Sequence, residues 1–176
     1  MGGDPKWQAP QARLDGRGPS GRTGGPRSTR HPPEAHRVKP AVDTTVLVAA
    51  LDASDPDHVA ARNLLTTRKC MACSHALSET FSTLTGGRLG FRIAPGDAAR
   101  LLHKTLSKRL HWITLSPADL LQAYAQASDR GIRGGAIYDY LHLVAARKAG
   151  APVFHTLNTA DFESFHRPGD PRIAGV

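Results

Sequence analysis

Four short apolar runs, separated by stretches of helical period, constrain this chain more than any other feature. The runs are Val38-Lys39-Pro40-Ala41-Val42-Asp43, Lys69-Cys70-Met71-Ala72-Cys73, His111-Trp112-Ile113-Thr114-Leu115 and Pro152-Val153-Phe154-His155-Thr156-Leu157. Each reads as a strand, the first weakened by Pro40. Between them Leu77, Phe81 and Leu84 recur at i, i+4, i+7, and Ile137, Leu141, Val144 and Ala145 at i, i+4, i+7, i+8, the spacing of a helix face turned to a core. Strands alternating with helices predict an α/β domain with a largely parallel sheet. In such sheets the functional crevice lies at the carboxyl ends of the strands.

The helices can be bounded from their ends. Val46 to Leu51 is apolar nearly all round, as an inner helix would be. A second helix is expected over His58–Thr66, and a third over His75–Thr85, capped by Ser74 and stopped by Gly86-Gly87. A fourth opens at Ala94-Pro95-Gly96-Asp97 and runs through Arg109, with Leu101, Leu102 and Leu106 as its stripe. Ser116-Pro117-Ala118-Asp119 fits an N-cap, a proline at the first helical position and an acid in the first turn. That helix runs to about Ser128. The loop Gly131–Gly135 follows, and then an apolar helix carrying Asp139 near its positive end and finishing near Gly150.

The first forty residues are different in kind. They hold 7 of the 17 Gly and 7 of the 13 Pro, and carry 8 Lys/Arg against 3 Asp/Glu, whereas residues 41–176 carry 15 against 12. Such a composition cannot bury enough apolar surface to offset chain entropy, so residues 1–37 are expected to be a disordered basic leader before a domain over 38–176. The leader lacks the apolar core of a secretory signal. It is Arg-rich like a transit peptide, but its Gly and Pro oppose an amphipathic helix, and a start codon set too far upstream accounts for it equally well. No run approaches 18 apolar residues, so no membrane span is expected. The mildly basic domain is compatible with a nucleic-acid substrate without demanding one. Cys70 and Cys73 have no paired histidines at zinc-finger spacing after them and read as reduced core thiols, consistent with a cytoplasmic protein.

The acids fall in an informative order. Asp43 closes the first strand, Glu79 sits on the helix after the second, Asp139 begins the helix that feeds the last strand, and Asp161 follows that strand by a short loop. All four could meet at one end of the sheet. Two such charges about 4 Å apart repel by roughly 4 kcal/mol at an effective dielectric of 20, so convergence calls for a cation. Hard oxygen ligands suit Mg2+ or Mn2+, and such sites hydrolyse phosphoryl groups.

Ala41-Val42-Asp43-Thr44-Thr45-Val46-Leu47-Val48-Ala49-Ala50, His75-Ala76-Leu77-Ser78-Glu79-Thr80-Phe81, Gly131 to Asp139 and Thr156-Leu157-Asn158-Thr159-Ala160-Asp161-Phe162 together resemble the four signature segments of PIN-domain proteins, and most of all VapC-type toxins of type II toxin–antitoxin systems. The resemblance covers about residues 38–165. It implies a three-layer α/β/α fold and a Mg2+-dependent endoribonuclease, with Mn2+ a possible substitute, held inactive by a cognate VapB-like antitoxin and commonly paired as a homodimer. It implies Asp43, Glu79 and Asp139 as metal-binding acids, with Asp161 as the fourth and Asn158 in support.

Around these, Thr45 is either a ligand-orienting hydroxyl or an ordinary cap neighbour. Arg133, in the glycine-flanked loop, is a candidate for RNA phosphate beside the plainer reading of a solvated arginine. Tyr138 could stack on a base, beside the plainer reading of a half-buried aromatic next to Ile137. His142, one turn beyond Asp139, is close enough to serve as an acid–base group, beside the plainer reading of a helix-surface or interface histidine. A catalytically weak PIN-like module that binds RNA or an antitoxin is the alternative from another class. A haloacid-dehalogenase-like phosphohydrolase also starts at a strand-ending Asp, but its second Asp would stand where this chain has Thr45. Neither a Gly-x4-Gly-Lys-Ser/Thr loop nor a Gly-x-Ser-x-Gly elbow is present.

Overall fold

The computed structural model describes residues 39–87, 90 and 92–176. The expected leader, 1–37, and Val38 lie outside the described residues. In chain order the elements are β1 (Ala41–Val42), α1 (Thr44–Leu51), α2 (His58–Thr67), β2 (Met71–Cys73), α3 (His75–Gly86), α4 (Pro95–Thr105), β3 (His111–Ile113), α5 (Pro117–Ala127), α6 (Ala136–Lys148), β4 (Val153–His155), α7 (Thr159–Phe165) and β5 (Arg172–Ala174). A turn of 3-10 helix over Ser128–Arg130 continues α5. The strands form one parallel sheet in the order β3-β2-β1-β4-β5, with β1 at its centre.

Alternation along the strands decides which helices cover which face. Val42 and Ala72 enter a buried cluster with Val46 and Leu47 of α1, Leu65 of α2, Leu84 of α3 and Leu102 of α4. Their neighbours Ala41 and Met71, with Phe154, enter a second cluster with Ala123 of α5, Leu143 and Val144 of α6, and Phe162 and Phe165 of α7. Helices therefore lie on both faces, the three-layer arrangement expected. Cys70 and Cys73 are free and buried. Burial pushes both thiols up, Cys70 to about 11, as in core cysteines.

Three local expectations are corrected. Ser74 makes no side-chain cap on α3, whereas Ser116 caps α5 as expected, in a full capping box with Asp119. Helix α4 ends at Thr105 rather than Arg109, because the chain must turn there to bury both Leu106 and Leu110 before β3. Strand β5 was not foreseen: Ile173 alone gives no two-residue period, and the strand is defined by pairing with β4. The loop before it is pinned by Asp170, whose side chain is wholly buried and receives Arg130 Nη1 at 2.5 Å, Arg147 Nη1 at 2.9 Å and the Arg167 amide at 2.9 Å. Among the described residues no helix is long and apolar enough to cross a membrane.

Candidate active site

β1 ends at Val42 and the chain turns directly into α1, so Asp43 becomes the N-cap of that helix at the carboxyl edge of the central strand. One carboxylate oxygen accepts from the Val46 amide at 3.2 Å and the Thr45 hydroxyl at 2.7 Å. The other accepts from the Thr156 hydroxyl at 2.7 Å. Each threonine is fixed from behind, since Thr45 Oγ1 accepts from the Leu157 amide and Thr156 Oγ1 from the Asn158 amide, both at 2.9 Å. Thr45 is thus an orienting hydroxyl rather than a bystander. Asp43 is 2% exposed. Burial pushes its carboxyl up, against the lowering pull of the Thr45 and Thr156 hydroxyls, His142 and the Val46 amide.

Glu79 reaches the same edge from the second turn of α3. Its Oε2 accepts from the Thr44 hydroxyl and pairs with His142 Nε2 at 2.7 Å, while Oε1 lies 3.3 Å from His75 Nε2. Burial raises this carboxyl, but the hydrogen bond and charge of His142, the Thr44 hydroxyl and His75 outweigh it and hold Glu79 below its ordinary value. Asp139 stands in the first turn of α6, half-buried. Burial raises its carboxyl first; His142 opposes this, and the negative fields of Glu79, Asp43 and Asp161 add to it. Asp161 is exposed in the first turn of α7, where Asn158 Nδ2 donates to its Oδ2 at 2.5 Å. Acids from a strand end and two other helices therefore all bear on Asp139.

Among the described residues no three His, Cys, Asp or Glu side chains are drawn together tightly enough to hold an ion without moving. The donor chemistry nevertheless fits a hard divalent cation. Asp139 feels three other carboxylates, opposed in part by His142, and all four groups offer oxygen. Asp43 and Glu79 each have both oxygens engaged by the protein; Asp139 and Asp161 are the ones open to solvent.

The sequence model of the PIN domain family matches residues 41–167, which hold all four acid-bearing segments. The chain belongs to the PIN-domain family. This PIN domain is 38% identical over 106 residues to Ribonuclease VapC27 of Mycobacterium tuberculosis (strain ATCC 25618 / H37Rv), across 60% of this chain and 75% of the relative. Its fold is similar to that of VapC20 of Mycobacterium tuberculosis, described as a sarcin-ricin loop cleaving toxin, with a TM-score of 0.58 and 21% identity over 74% of this chain and 98% of that one. It is likewise similar to VapBC2 from Rickettsia felis bound to a DNA fragment from the promoter, with a TM-score of 0.56 and 17% identity over 77% and 97%. The VapC-type likeness read from the four segments is borne out.

Within the PIN domain one expectation about a side chain is overturned. His142 is 2% exposed rather than a surface residue, because one turn beyond Asp139 its ring is drawn onto Glu79. Its Nδ1 is buried with no partner among the described residues. Tyr138 is 52% exposed, about half-buried as expected, since Ile137 and Leu141 take the core-facing side of α6. Arg133 is exposed, on a loop bent by the positive backbone angles of Gly131 (φ 70°) and Gly134 (φ 54°), the region glycine adopts freely. Sequence reasoning missed Thr44, Thr156 and His75. The only available signal for Thr156 was its place as the first polar residue after β4.

Proposed function

We propose that this protein is a metal-dependent endoribonuclease, the toxin of a type II toxin–antitoxin pair, with Asp43, Glu79, Asp139 and Asp161 as its acid centre. The observation that carries the reading is the convergence of Asp43 and Glu79 at the carboxyl edge of β1, tied through Thr44, Thr156 and His142, with Asp139 in the first turn of the same helix as His142. The likeness to a relative named a ribonuclease, and to a solved complex named VapBC2, supports it. Asp43, Asp139 and Asp161 would hold Mg2+, or Mn2+ in its place, with Glu79 joining by releasing one of its hydrogen bonds. When bound, the ion supplies a lowered water pKa and a counter-charge for the phosphoryl oxygens.

The chain's own residues do the rest. Thr45 and Thr156 fix the angle of the Asp43 carboxylate, so no reorganisation is needed when substrate arrives. Thr44 and His142 hold Glu79 on the Asp43 side of α3. Asn158 directs Asp161 through its amide. Arg133 offers a planar, always-charged donor to an RNA phosphate at the rim. The cytoplasm, where RNA and a cognate antitoxin meet, is the compartment in which the chain would act, as a homodimer.

The test is cleavage of a mixed RNA pool by the purified protein with Mg2+ or Mn2+, with EDTA, and by Asp139→Asn. Metal-dependent cleavage lost in both controls is expected. A folded, metal-binding protein that cleaves nothing would move the weight to an RNA- or antitoxin-binding module.

A further inference from the structure

Beside the acid centre lies a pocket of about 410 Å³ lined by Ser74, His75 and Ser78 of the β2–α3 junction and α3, Leu115 and Leu120, Tyr124 of α5, and Tyr138 and Leu141 of α6. Its floor is apolar and its walls carry three rings. Two of these are solvent-facing tyrosines, Tyr138 at 52% and Tyr124 at 49% exposure, an unusual outlay of aromatic surface in a domain with 3 Tyr in all. The rings are already ordered, for Tyr138 and His75 lie 5.5 Å apart at an interplanar angle of 16°. That stack touches the acids directly. His75 Nε2 is 3.3 Å from Glu79 Oε1, and Tyr138 precedes Asp139 in the chain.

An aromatic platform, an apolar floor and the two serine residues beside it form the kind of setting that holds a flat heteroaromatic ring with hydrogen-bonding edges. Proximity to the acid centre limits what that ring belongs to. Building on the ribonuclease reading, we infer that this pocket binds one unpaired nucleobase of the RNA strand next to the scissile phosphate, stacked on the free face of Tyr138 and bordered by Tyr124. Single-stranded RNA is recognised in this way, by splayed bases on aromatic side chains. A base inside a duplex could not enter, so the pocket selects loops, bulges or single strands over paired RNA. Ser74 and Ser78 are placed to read the base edge and so to set which base is preferred.

The experiment is equilibrium binding of fluorescein-labelled RNA hexamers (oligo-A, oligo-C, oligo-G, oligo-U and one abasic hexamer), followed by anisotropy in EDTA so that cleavage does not enter. Wild type, Tyr138→Ala, Tyr138→Phe and Tyr124→Ala are compared, with thermal unfolding of each as a check on folding. Stacking strengths predict that Tyr138→Ala weakens the best hexamer by about 5- to 150-fold, that Tyr138→Phe keeps its affinity, and that the abasic hexamer binds wild type no better than Tyr138→Ala. A folded Tyr138→Ala protein with wild-type affinity, or equal binding of abasic and normal RNA, overturns the inference. So does light scattering that shows Tyr138→Ala splitting a wild-type dimer, which would make the pocket a contact between copies. Cleavage assays separate the two readings: a wild type that binds hexamers but never cleaves fails the nuclease proposal and leaves the base pocket standing.

Discussion

Thr156 donates its hydroxyl to Asp43 at 2.7 Å from 113 positions away in the chain, and this bond joins the end of β4 to the end of β1 inside the acid centre. The same oxygen accepts the Asn158 amide, so one hydroxyl positions Asp43 and the segment that carries Asp161.

Replacing Thr156 with Val keeps the shape and deletes both bonds. The loss of one bond to a buried charged group and the orphaning of an amide should cost about 2 to 4 kcal/mol in denaturant unfolding. RNA cleavage should fall at least about tenfold, while Thr156→Ser, which keeps the hydroxyl, should lie near wild type in both. A Thr156→Val protein as active and as stable as its parent would show that Asp43 is held by Thr45 and Val46 alone.

Asp139→Asn removes charge with little change of shape at a half-buried position. Several kcal/mol of transition-state charge stabilisation is at stake in such a ligand, so cleavage should drop by about a hundredfold or more. The unfolding midpoint without metal should hold or rise, because the substitution also removes a carboxylate repelled by three others. Full cleavage by the folded variant would sink the site assignment.

Without metal, stability should increase as pH falls from neutrality toward the ordinary carboxylate range. Asp43 and Asp139 are both raised above 3.8 by burial, so the folded chain keeps protons that the unfolded chain has released. Their contribution grows as pH descends through the raised values and is complete below the unfolded ones. Glu79 and Asp170 are lowered, and what they contribute is lost only at lower pH, below 4.5 and 3.8. Thermal scans in EDTA should show the slope, Asp139→Asn should reduce it, and Mg2+ should flatten it by stabilising the ionised forms at neutral pH. A midpoint that is flat in EDTA would contradict this account of the two acids.

Asp170→Asn tests a purely architectural claim. Leaving Arg130 and Arg147 beside a neutral partner should cost about 3 kcal/mol, or roughly 6 to 12 °C in the midpoint of a chain this size. Cleavage per folded molecule should be unchanged, and a large activity loss without destabilisation would link this network to the acid centre.

Much of the centre was legible because strand-ending and helix-starting acids are set by local chain geometry. Once β1 was read as ending at Asp43 and α6 as beginning near Asp139, the parallel sheet brought them to one edge. The supporting residues were not legible for the converse reason. Thr44, Thr156 and His75 owe their roles to partners 35 or more positions away, or, for His75, to a ring on another helix, and beyond the place of Thr156 just after β4 nothing in their neighbours marks them. His142 misled because a histidine on an apolar helix reads as an interruption; only Glu79, arriving from α3, makes its burial affordable. Strand β5 and Asp170 were invisible on the same ground, since edge pairing and a two-arginine clamp leave no periodic trace.

The two-residue β1 has a further consequence for how the molecule opens. Its neighbours pair with it on both sides, and the Asp43 amide donates to the His155 carbonyl at 3.2 Å. Amide exchange at Asp43 therefore waits for the sheet itself to part, the costliest opening available to the domain. Asp161 rides a seven-residue helix with its own side chain in water, and that helix is anchored by Phe162 and Phe165 rather than by strand pairing. The Asp161 side of the acid centre thus depends on the packing of one short helix, while the Asp43 carboxylate is held by the sheet.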